Sequence, residues 1–206
     1  MNAQTSHFFL NGAAGKLQCA LDLPNIPPVG IALVAHPHPL YGGTMDNKVA
    51  QTLARTFVAL GYATARMNFR GVGQSEGIHD DGIGETDDMQ TLLTHMQSHY
   101  PDLPLALSGF SFGTFVQSRF QAQLKEQGCP VQRMVLIGCA AGKWDVSPVP
   151  DNTIVIHGEL DDTIPLIDVF DWARPQELPI IVIPGADHFF HRKLHHIRHW
   201  VTALWD

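Results

Sequence analysis

The stretch Leu105-Ala106-Leu107-Ser108-Gly109-Phe110-Ser111-Phe112-Gly113 decides the reading of this chain, because a short apolar run leads directly into the spacing Gly-x-Ser-x-Gly. A serine on a sharp strand-to-helix turn crowds the positions two before and two after it, so only very small side chains fit there. Gly109 and Gly113 supply them. The turn also leaves the backbone N–H of Phe112 at the start of a helix, where an unpaired donor and the helix dipole face a developing oxyanion. The flanks agree with this geometry. Phe115 to Lys125 has helical apolar spacing, and Gln127-Gly128-Cys129-Pro130 ends that helix.

Outward from the turn, the β-prone runs are Gly30–Ala35, Ala63–Phe69, Leu105–Phe110, Met134–Cys139, Thr153–Ile156 and Ile180–Ile183. Between most of them lie helical patterns over Asn47–Leu60, Ile83–His99, Phe112–Gln127 and Leu166–Ala173, with a last one over His191–Trp205. Continuously apolar strands alternating with helices predict a mostly parallel sheet covered on both faces. His7–Leu10 and Leu17–Leu21 flank a glycine-rich turn and add an antiparallel hairpin at the N-terminal edge. The expected fold class is therefore an α/β sandwich, organised as one domain over residues 1–206 without linker or repeat. The thirteen residues from Ala140 to Asn152 leave no room for a helical lid, so the site is expected to be open to water.

A serine raised in this way needs a histidine to take its proton and a carboxylate to orient that histidine. Two loops at carboxyl ends of later strands, where open α/β sheets place ligands, offer them. His157-Gly158-Glu159-Leu160-Asp161-Asp162 follows one strand, and Pro184-Gly185-Ala186-Asp187-His188-Phe189 follows the next. The acid at this level is Asp161 or Asp162, and the order serine, acid, histidine is one known arrangement of such a triad.

The segment His36-Pro37-His38-Pro39-Leu40-Tyr41-Gly42-Gly43-Thr44-Met45-Asp46-Asn47-Lys48, with Asn68-Phe69-Arg70-Gly71 and both loops above, resembles the α/β-hydrolase superfamily. Within it the chain is similar to small lidless hydrolases of the dienelactone-hydrolase and esterase kind. The resemblance runs from about Gly30 to the C-terminus. It implies a serine esterase or thioesterase, with Ser111 as nucleophile, Asp161 as acid and His188 as base. The oxyanion would be held by the N–H of Phe112 and by one from the loop after the first sandwich strand. There Pro37 and Pro39 have no N–H, which leaves His38, the preferred donor, or Leu40. A transferase on the same triad, a peptidase, and a non-catalytic binding module are the alternatives.

Tyr41, Phe112, Trp144 and Phe189 fall in loops at the same sheet edge and are candidates for an apolar pocket. His191, His195 and His199 recur at helical spacing but lack the carboxylate partner of a metalloprotease helix, so no metal and no cofactor is expected. Arg70 is expected to pair with Asp87 or Asp88. A formal net charge of −7 with no Lys/Arg cluster argues against nucleic acid as a partner. The three cysteines lack ligand spacing, and no apolar run is long enough to cross a bilayer. A cytoplasmic protein acting on a small ester or thioester is the expectation.

Overall fold

The computed structural model describes residues 5–205. Eight strands form one sheet in the order β1-β2-β4-β3-β5-β6-β7-β8. They are β1 (Thr5–Gly12), β2 (Gly15–Asp22), β3 (Gly30–Ala35), β4 (Tyr62–Met67), β5 (Leu105–Phe110), β6 (Arg133–Ile137), β7 (Ile154–Gly158) and β8 (Ile180–Ile183). From β4 to β8 every neighbouring pair is parallel, whereas β1 and β2 are antiparallel to each other and β2 to β4.

Side chains alternate across the sheet and meet a helical layer on each face. Ile31, Leu33 and Ala35 of β3 point into a core with α2 (Ile83–His99), α3 (Phe112–Glu126) and α4 (Leu166–Ala173), which supply Met89, Leu93, Val116, Phe120 and Val169. Ala32 and Val34 point the other way, onto α1 (Lys48–Ala59) and α5 (Leu194–Leu204) through Leu53, Phe57, Ile197 and Val201. This is why the central strands read as unbroken apolar runs.

The chain leaves β3 toward β4 on one side and returns to β5 on the other. Such a reversal opens a crevice at the carboxyl ends of the two adjacent strands, and ligands of open α/β sheets bind there. Here it is framed by the segment after β3, residues 36–47, and by the β5–α3 turn.

Several expected bounds shift by a residue or two, and three of the changes bear on the site or its surroundings. The hairpin turn is only Ala13-Ala14, closed by the Gly12–Gly15 pair, so both strands run further than their apolar residues indicate. The strand expected to reach Phe69 ends at Met67, leaving Asn68 in a loop where it accepts from Met45 N–H and donates to Gln18. The last helix starts at Leu194, so His191 is not on it and instead pairs with Asp187 at 2.6 Å. That breaks the supposed histidine face, and among the described residues no three His, Cys, Asp or Glu side chains are grouped to hold a metal. Between β6 and β7 there is no helix, and no helix of the described residues is long and apolar enough to cross a membrane.

Candidate active site

Ser111 sits between β5 and α3 with φ 55° and ψ −125°, a conformation that L-residues avoid. Three bonds hold it there. Its N–H donates to Ile137 O at 3.0 Å, while its carbonyl accepts from Thr114 N–H at 2.8 Å and from Thr114 Oγ1 at 2.6 Å. The flanking glycines are required by contact rather than by flexibility. A Cβ on Gly109 would lie 2.4 Å from Gly113 O, and one on Gly113 would lie 2.5 Å from Ala35 O.

His188 Nε2 lies 2.9 Å from Ser111 Oγ, and His188 Nδ1 lies 2.7 Å from Asp161 Oδ2. All three residues are buried or nearly so. With Nδ1–H donated to the carboxylate, Nε2 is the unprotonated nitrogen and accepts the serine O–H. The other carboxylate oxygen, Asp161 Oδ1, accepts from the N–H of Thr163 at 3.0 Å and of Ile164 at 2.8 Å. Burial pushes the Asp161 carboxyl up, yet the hydrogen bond and charge of His188, the Ile164 N–H and nearby His157 outweigh it and hold the group below the usual carboxylate range. Asp162, by contrast, is exposed, and its hydrogen bond among the described residues is from the Thr163 hydroxyl, at 3.5 Å. Of the two adjacent candidates, Asp161 faces the histidine.

The two loops are also fastened to each other. Leu160 N–H donates to Ala186 O at 2.9 Å, Gly185 N–H donates to Glu159 at 2.7 Å, and a Cβ on Gly158 would strike Ala186 O at 2.5 Å. His157, at the end of β7, opens the acid's loop in the sequence and had been given no role. Its Nε2–H donates to Ile164 O at 2.9 Å and stands 3.4 Å from Asp161 Oδ2. Burial holds its pKa down, against the opposing pull of Ile164 O and Asp161.

The segment after β3 folds back as a 3-10 turn, Pro39–Tyr41, wound on the carbonyl of His38, which accepts from Tyr41 N–H at 3.2 Å and Gly43 N–H at 3.0 Å. Gly43 permits this closeness, since a Cβ there would lie 2.1 Å from Pro37 O. Leu40 N–H is taken by His38 Nδ1 at 3.2 Å. The backbone N–H groups of His38 and Phe112 have no acceptor among the described residues, so of the two loop candidates His38 has the free donor. The His38 ring lies 4.8 Å from the rings of Tyr41, His79 and Phe112 and 5.3 Å from Trp144. Burial, and then His79, lower its pKa, with Glu85 and Asp81 opposing them.

A cavity of about 320 Å³ opens over this centre, lined by Ser111 and His188 together with Tyr41, Phe189, Asn47, Thr163 and Lys143 and by the Pro37–His38 and Gly42–Gly43 segments. Tyr41 and Phe189 thus both reach it, from the loops after β3 and β8. The two other aromatic candidates stand behind the wall: Phe112 is fully buried, and Trp144 packs on His38, Phe112 and Phe115. Asn47, Thr163 and Lys143 were missed. Lys143 follows β6 in a loop at a strand's carboxyl end, and the rule that found Asp161 and His188 would have pointed to it as well.

Comparison with known proteins agrees with the fold. Residues 40–188 match the family described as serine aminopeptidase, S33. An uncharacterized protein of Rickettsia prowazekii (strain Madrid E) is 33% identical over 199 residues, covering 90% of this chain and 82% of that one. A Xanthomonas campestris protein described as an α/β serine hydrolase without lid superposes with a TM-score of 0.89 at 35% identity, covering 99% of this chain and 94% of that one. An α-β serine hydrolase homologue from Coxiella burnetii gives 0.84 at 31% identity, with 96% of each chain covered.

Proposed function

Because this chain belongs to the α/β-hydrolase family described as serine aminopeptidase, S33, we propose that it hydrolyses small carboxylic esters or thioesters through an acyl-enzyme on Ser111. The observation that carries this reading is the unbroken relay Ser111 Oγ, His188 Nε2, His188 Nδ1, Asp161 Oδ2, with links of 2.9 and 2.7 Å.

In the proposed cycle His188 removes the proton as Ser111 Oγ attacks the carbonyl carbon. The N–H groups of Phe112 and His38 receive the oxyanion, and Asp161 stabilises the imidazolium. The tetrahedral species collapses as His188 returns its proton to the leaving alcohol or thiol, which leaves an acyl-serine. Water then gives a proton to His188 and attacks that acyl group, and the carboxylic acid departs with Ser111 restored. Side chains provide the nucleophile and the base, and backbone N–H groups provide the oxyanion donors.

An aminopeptidase activity, as the family's description names, is less well supported by the cavity. Such an enzyme must hold a substrate's N-terminal ammonium, and none of the described residues lining the cavity is a carboxylate. The modest cavity, with no helix between β6 and β7 to extend it, supports a small substrate.

The test is labelling with a fluorophosphonate probe, read by intact mass, beside a series of p-nitrophenyl esters of increasing chain length. One adduct on wild type and none on Ser111→Ala is expected, with turnover falling as the acyl chain grows. A folded wild-type protein that takes no adduct would remove the catalytic reading and leave a binding protein.

A further inference from the structure

Among the described residues, one cationic side chain at the proposed site has no recorded partner. Gly142, with φ 77°, turns the chain back after β6, and a Cβ there would lie 2.6 Å from Asp168 Oδ2 on α4. Lys143 comes next, its N–H donated to Ala140 O at 3.3 Å and its backbone inside the bridge between Ala141 and Trp144. The backbone that carries this side chain is therefore held on both sides. Lys143 lines the cavity with Ser111 and His188, and its ammonium has no hydrogen bond and no carboxylate within 4 Å among the described residues. Asp168 packs against Gly142 and not against this ammonium.

The rest of the cavity has the same polarity. Asn47 spends its Oδ1 on Val49 N–H at 2.8 Å, which leaves its amide N–H groups without a described acceptor. The N–H groups of Phe112 and His38 likewise have no acceptor among the described residues. No aspartate or glutamate is among the lining residues, in a chain whose net charge is −7. A neutral ester would use the two oxyanion donors and leave Lys143 solvated. A substrate with a second, negative group would also pair with it, inside a cleft where charges are screened less than in bulk water.

Resting on the serine-hydrolase reading above, we propose that the physiological substrate is an anionic ester or thioester, and that Lys143 is the residue that selects for its negative group, in the simplest case a carboxylate. Lys143 acts on specificity, holding the anion while the scissile carbonyl lies against Ser111, and takes no part in the proton transfers.

Two matched pairs of esters test this, with the charge placed once in each half of the molecule. In the acyl half, p-nitrophenyl hydrogen glutarate is compared with p-nitrophenyl 5-methylhexanoate, its neutral isostere. In the leaving half, 3-acetoxybenzoate is compared with 3-methylphenyl acetate. For one pair, wild type should favour the anionic member in kcat/KM, and Lys143→Met should cut that charged-to-neutral ratio about tenfold, the size expected for a hydrogen bond to a charged group. Lys143→Glu should cut it further, and 0.5 M NaCl should shrink the wild-type ratio. A ratio unchanged by Lys143→Met in both pairs overturns the proposal while leaving the hydrolase reading intact. Failure of all four esters, with Ser111 unlabelled by fluorophosphonate, overturns both.

Discussion

Ser111 is held in a backbone conformation that its own side chain opposes, at φ 55°. Strain of this kind costs roughly 1–3 kcal/mol and persists only where surrounding bonds over-determine it, which here are those to Ile137 and Thr114. The same economy of local bonds separates two neighbouring acids. Asp161 satisfies both carboxylate oxygens, with Thr163 and Ile164 on one and His188 on the other, whereas Asp162 lies exposed. Asp161→Asn should therefore reduce kcat/KM about 10⁴-fold, because an amide cannot hold His188 in the required tautomer. Asp162→Asn should remain within twofold of wild type. Steady-state kinetics on a p-nitrophenyl ester checks both, and equal losses would mean that the acid has been misassigned.

Among the elements, the β5–α3 unit was the most legible because its pattern is confined to the five residues Gly109–Gly113. A Cβ on Gly113 would meet two backbone oxygens, Ala35 O at 2.5 Å and His36 O at 2.7 Å, and neither can yield without moving β3. Gly113→Ala should accordingly destabilise the protein by about 3 kcal/mol, as overpacking does, and displace the N–H of Phe112 from the site. Urea unfolding and ester turnover measured together would show both losses, and an unchanged midpoint would refute the close packing. The start of α5 was misread for the opposite reason. The turn before it places Phe190 at φ 53° and Arg192 at φ 60°, so neither glycine nor asparagine marks it. Arg70 shows how far sequence can go toward a contact: an aspartate partner on α2 was expected, and only packing selects Asp88, bound at 2.8 Å through two nitrogens, over exposed Asp87.

For the molecule as a whole, buried histidines couple stability to pH. His36 accepts from Phe69 N–H at 2.9 Å through Nε2, so its Nδ1 carries the proton shared with Pro37 O at 2.6 Å, and the ring is neutral. Burial, only partly offset by the Pro37 bond, lowers its pKa from 6.5 to about 3. Between those values the unfolded chain binds a proton that the folded protein refuses, so stability is full above 6.5 and falls as pH drops toward 3. His157, lowered by its own burial, acts with the same sign. From pH 7 to pH 5, His36 alone should cost about 2 kcal/mol of unfolding free energy. Urea titrations at both pH values should show that loss in wild type and a smaller one in His36→Gln. An equal loss in both would free His36 of the role.

What the sequence determined by itself was local and periodic: the alternation of apolar strands with helices, the glycine spacing that lifts Ser111, and the supply of acid and base at strand ends. These follow from sterics and burial patterns that act within a few residues, so they are written where they act. Tertiary structure alone decided which candidates meet. Ser111 and His188 are 77 positions apart and touch only because β5 and β8 are placed by the same sheet. The resemblance had already pointed to Asp161, but its meeting with His188 and the place of Lys143 at the cavity depend on how loops from different strands pack against one another. No local pattern encodes such distances, because they are set by the sum of the sheet's register and the helices that cover it.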